Sequence, residues 1–509
     1  MASLLERYAD KIAGVISCYD RVLIQGTLPG LCYAQGMTAY LYQRGIRIFD
    51  YARFAEPLRD RIRENAERIA AEQGIQIEWI RRIKAFRKDD RVREILSKRG
   101  NHPGIVHIFS AMETCPTYQP WHDKNTGKTF LRPDTGKCLH YYFYFIDPDF
   151  GLCYLRVPTW CPFRLQFYFN GHNQLAAKLT QRRIAFALAD NAFTEIADFR
   201  AAQQLADNLS VKPLHRALDH FAALFCPVLK TLGVTYHWSI MQAEFATDII
   251  FRRQADLADI YATLSRTAIH TVKPDDVATF LGRKLTRLYQ DELGNDFSTR
   301  IEGTRIRHHM GPASIKMYDK FGLVLRIETT VNDLSFFKHY RAVEHKDGER
   351  TYQLAPLRKT IYSLQPDLRQ LLSAANQRYL AFISDIDDPT AGIKALNKIS
   401  ETKEQGGRNY KGFNLFAEPD QSLFQAIVRG EFNLTGFRNR DLKCHLSHKT
   451  TAQVSRCLKR LRIHGLIKRI GRTYKYYLSQ FGRHVALTGL KLKSLFLIPA
   501  LAKPGIDLP

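Results

Sequence analysis

Carboxylates are the residues with which this chain would do chemistry on a phosphodiester, because two or three held together bind divalent ions that neutralise a phosphate under attack. The first lies in CYDRVLIQGTL, where Asp20 stands at the start of an apolar run, Val22 to Leu28, that reads as a strand ending at Gly26-Thr27. Asp20, Asp50 and Glu113 are the catalytic candidates, with Glu244 and Asp248 as further partners for Asp20. Spacing selects none among them. No set of residues is assigned as a metal site, and Mg2+ is expected only if these acids form a nuclease centre. Cys138, His140 and Cys153 match no zinc-ligand spacing and read as core or surface residues. GGRNYKG lacks the lysine spacing of a phosphate-cradling loop, and neither G-x-S-x-G nor HExxH occurs.

A second kind of chemistry is suggested near the end of the chain. KTTAQVSRCLKRLRIHG begins with Thr450 and has Gln453 three residues on, the spacing of a capping box. Val454, Leu458 and Leu461 define one apolar stripe, and Gly465 stops the helix. The other face presents Thr451, Gln453, Arg456, Lys459 and Arg460. Upstream, DQSLFQAIVRG reads as a helix capped by Asp420, and FNLTGFRNRDLKCHL as a second helix capped by Thr435. Downstream, LIKRI and TYKYYL read as two strands joined at Gly-Arg. From Asp420 onwards Lys and Arg number 17 against 4 acids, a single-sign surface unlike the mixed charge of an ordinary solvated helix.

This order of helices and hairpin, and the stretch TTAQVSRCLKRLRIHGLIKRIGRTYKYYLSQFGR above all, resembles the recognition helix and wing of bacterial MarR-type winged-helix regulators. The resemblance covers about one-seventh of the chain. It implies duplex-DNA binding, often as a homodimer, with Thr451, Gln453 and Arg456 as base or phosphate contacts on the helix and Arg472 as the wing contact; Lys449, Lys459, Arg460 and Lys475 are read beside them as DNA contacts from their charge and position. It leaves the long N-terminal part unexplained.

Two weaker likenesses concern that part. Asp20 resembles the first-strand aspartate of RNase-H-like nucleases and transposases, although it stands at the start of its strand. SIKMYDKFGLVLRIETTVND is similar to a segment of rolling-circle replication proteins, but no His-x-His metal pair accompanies it. Its cations, with Arg300, Arg305, Arg307, Lys316, Lys320 and Arg326 in one β-rich region, read either as a phosphate-tracking surface or as an ordinary sheet.

The elements that must position these residues belong to an α+β chain: a large mixed N-terminal region with antiparallel hairpins and helices, then a winged helix-turn-helix. Expected regions are 1–173 with an aromatic hairpin (LHYYFYFI, DPDFG, LCYLRV), 174–384 with helices and a second β-rich segment, a linker over 385–419, the DNA module over 420–485 and a tail over 486–509. Ile46–Phe49 reads as a strand and 114–137 as a polar loop. The aromatic hairpin reads mainly as core, with single-strand stacking as the other reading. A chain of 509 residues carrying +25 is drawn to polyanions, with double-stranded DNA first and RNA or single-stranded DNA as further partners. Nine scattered cysteines without CxxC, no spanning apolar run and no signal pattern lead us to expect a cytoplasmic protein away from membranes. The functional expectations are a DNA-binding regulator or mobile-element protein, alternatively a metal-dependent nuclease or transposase with a targeting module, and alternatively an RNA or single-strand binder.

Overall fold

The computed structural model describes residues 4–81, 86–283, 297–345, 347–385, 389–471 and 473–502. Two compact units divide the chain, Met1–Asp387 and Asp388–Pro509.

In the first unit the strands run β1 (Ile12–Thr27), β2 (Glu78–Trp79), β3 (Gly104–Asp123), β4 (Lys128–Asp147), β5 (Gly151–Pro158), β6 (Leu165–Asn170), β7 (Phe186–Ala189), β8 (Ala192–Ile196), β9 (His237–Phe251), β10 (Phe297–Glu302), β11 (Arg305–Met310), β12 (Ala313–Lys320) and β13 (Val324–Val331). Eleven of them form one sheet in the order β10-β11-β12-β13-β9-β1-β6-β5-β4-β3-β2, while β7 and β8 make a separate hairpin. All neighbours in the large sheet are antiparallel except β2 and β3. The N-terminal β1 is therefore central, bonded to β6 on one side and β9 on the other.

Side chains alternate across a sheet, so each strand serves two faces. On β4, Tyr141, Phe143 and Phe145 enter the main core. That core includes Leu58 and Ile62 of helix Tyr51–Glu72, Leu214 and Leu218 of helix Val211–Phe225, and Leu368 and Leu372 of helix Asp367–Asp385. Tyr142 and Tyr144 face the other way and pack with Val92 of helix Lys88–Arg99. The aromatic hairpin is core on both sides, as its sequence suggested.

Several expectations are corrected. Residues 114–137 form the outer arms of the long β3–β4 hairpin, paired from Thr114 with Lys137 to Asp123 with Lys128. Ile48–Asp50 is a short 3-10 helix in which only Ile48 is buried, so no strand forms there. A division at residue 173 fails because β1 and β6, before it, share a sheet with β9, after it. Nor is 385–419 a bare linker: it holds helix Pro389–Ser400 and a hairpin of Lys403–Gln405 with Arg408–Tyr410, and Ile399 and Phe413 join the C-terminal core.

The second unit contains helices Glu418–Ile427, Gly430–Thr435, Asn439–His445 and Thr451–Ile463, a hairpin of Ile467–Arg469 with Tyr476–Leu478, and helix Gln480–Lys491, which runs across the expected boundary at 485. Thr450 and Gln453 form the capping box, Val454, Leu458 and Leu461 are buried, and Gly465 takes the left-handed φ of 75° that ends the helix. Two caps lie elsewhere than expected. Asp420 sits within the first turn of its helix, buried against Arg460, and Ala417 is the N-cap. Thr435 closes a helix of its own, and Arg438 stands before the next. No described helix is long and apolar enough to cross a membrane.

Candidate metal centre

Asp20 lies in the middle of β1, because the strand begins at Ile12 and not at Val22. The ladder with β9 is irregular there: Tyr19 pairs with Phe245 and Val22 with Ala243, so Asp20 and Arg21 together oppose the single residue Glu244. Such a bulge re-aims side chains at a sheet position where alternation alone would send them to opposite faces. On the next strand Glu328 pairs with Ala246, and Lys316 of β12 pairs with Glu328. Glu244, Glu328 and Asp20 thus converge on one face, each offering a carboxylate oxygen, and these oxygens lie within 4.8 Å of one another.

Beside this trio is a second, fully buried group. Arg326 of β13 opposes Asp248 of β9 and grips both its oxygens, with Nε and Nη2 each donating at 2.6 Å. His172 stands between acids, its Nδ1 3.1 Å from Asp20 and its Nε2 3.1 Å from Asp248. The sequence NGHN builds this locally. The Asn170 side chain caps helix Gly171–Gln181 by accepting from the His172 and Asn173 amides, and its own amide donates to Asp20 at 3.0 Å. Gly171 is required because a Cβ there would overlap the Tyr19 carbonyl oxygen. Asn191, just before β8, donates to Asp20 at 2.7 Å.

Charge at this depth is tolerable only when matched. Burial pushes each carboxyl up, but His172, Arg326 and Asn170 overcome it at Asp20 and hold that group below its ordinary value. At Glu328 burial is likewise overcome, by the Lys316 ammonium at 2.6 Å and the Tyr318 hydroxyl donating at 2.6 Å. Glu244 is different. Lys316 stays 3.7 Å away, and burial together with the neighbouring Glu328 charge raises its carboxyl to about 7. For His172, burial and the Arg326 guanidinium 3.0 Å from its Nε2 disfavour the charged ring, yet Cys18 and the carboxylates of Asp20 and Asp248 keep it raised well above the ordinary histidine range.

The chain matches no family model, no curated protein and no solved structure.

Of the sequence candidates, Asp20 and Glu244 meet, and Asp248 lies one hydrogen bond beyond. Asp50 is elsewhere, paired with Arg47 at 2.7 Å. Glu113 also lies outside, on β3, accepting from Tyr142 at 2.5 Å and Arg156 at 2.6 Å. Asn191 was not selected from sequence; Asn170 and His172 lie in VPTWCPFRLQFYFNGHN, a stretch dense enough in Trp, Pro, Asn and His to suggest a pocket, and Glu328 lies in the segment similar to rolling-circle proteins, but none was read as part of a metal centre. Arg326 and Lys316 were read as surface cations; both are buried on carboxylates, so neither tracks a phosphate backbone. Only the alternation of Arg326 and Glu328 along RIE, opposite Lys316 and Tyr318 along KMY, carried a signal of a charged sheet face.

In the C-terminal unit Thr451, Gln453, Arg456 and Lys459 are exposed on one helix, while Lys449 and Lys475 are half-buried. Gln453 also accepts from the Thr450 amide at 2.7 Å. Arg460 is committed internally: it donates to Asp420 at 2.7 and 3.0 Å and to the Lys411 and Gly412 carbonyls, and it lies over Phe413. It therefore holds the unit together and does not project as a DNA contact. Arg472 lies outside the described residues.

Proposed function

We propose that the protein is a metal-dependent enzyme acting on phosphodiester bonds of DNA, of nuclease or transposase type, with its C-terminal unit as the part that finds duplex. One observation carries this reading: Asp20, Glu244 and Glu328, drawn from three strands, place oxygens within 4.8 Å of each other. The donors are all carboxylate oxygens, which suits a hard dication such as Mg2+ or Mn2+ over zinc. The hydroxyl of Thr330, the residue opposite Glu244 and next but one to Glu328, is buried without a hydrogen-bond partner, an unsatisfied oxygen on the same sheet face. A dication bound by the three acids supplies charge neutralisation for a phosphodiester under attack.

The chain's own groups divide the remaining work. His172, Asn170 and Asn191 fix Asp20, while Lys316 and Tyr318 fix Glu328. Glu244 holds a proton up to about 7 when no cation is bound and would give it up on completing the trio. Tyr318 is not suited to attack itself, since burial and the adjacent Glu328 charge hold its hydroxyl far above the ordinary phenol range.

The order of helices and hairpin in the C-terminal unit fits a winged helix, and its exposed Thr451 and Gln453 would meet base edges in the major groove while Arg456 and Lys459, with Lys449 and Lys475, hold the flanking phosphates. A purely DNA-binding regulator is the second reading, favoured by this exposed basic helix. Mn2+ titration decides between them. Wild type is expected to gain thermal stability with Mn2+ and to cleave DNA, and Glu328→Gln to lose both, with at least about a hundredfold drop in rate. If Mn2+ moves neither melting temperature nor DNA, the regulator reading stands.

A further inference from the structure

Four cations lie around the carboxylates, and three are already engaged. Arg326 is fully buried on Asp248, Lys316 is buried on Glu328, and Lys320 is bonded to Asn191 and Asp190. The fourth is Arg21. It is exposed, and among the described residues no carboxylate lies within ion-pair distance of it. Glu244, and after it Asp89 on helix Lys88–Arg99, act on it only through space.

The bulge that brings Asp20 opposite Glu244 carries Arg21 to the same position of the ladder, within reach of the Glu244 charge. There it lies over the Tyr168 ring at 5.6 Å, and Tyr168 in turn stacks on Tyr154 at 5.0 Å and 17°. Stacking occupies the flat face of a guanidinium and the Tyr154 hydroxyl lies against one of its edges, leaving the other in-plane N–H groups, with which arginine takes two oxygens of one phosphate. Beyond it Gln25 pairs with Gln166, Gln166 donates to Met241, and Gln242 donates to Glu244 at 3.4 Å.

We propose that Arg21 seats the reacting phosphodiester of a nucleic-acid strand against Asp20, Glu244 and Glu328. This rests on the phosphodiester reading above and adds the residue that binds substrate there. The internal cations neutralise the acids, and Arg21 supplies the remaining attraction for a polyanion that the acids alone would repel.

The test uses the full chain with Mg2+ and a labelled DNA oligonucleotide that the wild type cleaves. Arg21→Ala is expected to lower kcat/KM about tenfold or more, chiefly through KM, and Arg21→Lys to recover part of it. With Glu328→Gln as background to prevent turnover, adding Arg21→Ala should reduce the slope of log binding constant against log salt by about 0.7 to 0.9, one phosphate contact. A merely structural arginine would not change that slope. Mn2+ affinity and melting temperature should remain as in the parent proteins. If the wild type cleaves and Arg21→Ala leaves KM and the salt slope unchanged, the inference is overturned while the phosphodiester reading survives. If the wild type shows no metal-dependent cleavage of any DNA, the reading fails and takes the inference with it.

Discussion

The two units handle charge in opposite ways. Around Asp20 the charges are buried, of both signs and bonded in detail: Arg326 to Asp248, Lys316 to Glu328, His172 to two acids. On helix Thr451–Ile463 the charges are positive and mostly exposed, and only Arg460 turns inward to an acid. The first pattern fixes a geometry, because an unmatched charge at that depth would cost several kcal/mol. The second leaves attraction to be satisfied by something else, because exposed cations interact with one another only weakly through water and salt.

The largest expected break in this comparison is Arg326→Met. It leaves Asp248 buried without its cation and should lower stability by about 3–5 kcal/mol, read by denaturant unfolding.

Next comes pH. Glu244 keeps its proton to about 7 in the folded protein against 4.5 for an ordinary glutamate, so the stability it contributes is present at low pH and is lost as pH rises through about 7. Asp20 and Glu328, held below their ordinary values, act in the reverse sense, contributing at neutral pH and losing that contribution in acid. A metal ion must displace the Glu244 proton, so Mn2+ affinity should fall by about tenfold per pH unit below 7. Titration calorimetry from pH 8 to 5.5 checks this, and Glu244→Gln should flatten the profile.

The smallest effects sharpen the comparison within a single helix. Arg460→Ala should cost about 1–2 kcal/mol by unpairing Asp420. Arg456→Ala with Lys459→Ala should alter stability by under about 0.5 kcal/mol. That pair should instead reduce the salt slope of duplex binding by about 1.8, two phosphate contacts. Equal stability losses in the two cases would erase the distinction drawn between inward and outward charge.

How much was legible in sequence follows the same division. The C-terminal helix was readable because its determinants are local: Thr450, Gln453, Val454, Leu458, Leu461 and Gly465 fall within sixteen residues. The hairpins LHYYFYFI–LCYLRV and SIKMYDK–VLRIETTV were readable for the same reason. The metal centre was not. Asp20, His172, Glu244 and Glu328 come from distant parts of the chain, and only the pairing of β1 with β6, of β1 with β9 and of β9 with β13 makes them neighbours. Even the depth of Asp20 in its strand was hidden, since Ser17 and Cys18 interrupt the apolar pattern that continues from Ile12. Glu244 was among the partners considered, but nothing short of the sheet order distinguishes it from Asp50 or Glu113.

The central place of β1 has a consequence for how the protein comes into being. Its 16 residues are made before every other strand of the sheet, yet their hydrogen-bonding partners are made only when synthesis reaches β6 and then β9. Until then both strand edges are bare, a state open to aggregation and to chaperone capture. The last carboxylate, Glu328, arrives later still, on β13. A nascent chain therefore cannot assemble the trio, and any activity seated there is withheld until most of the first unit has been translated and the sheet has closed around its oldest strand.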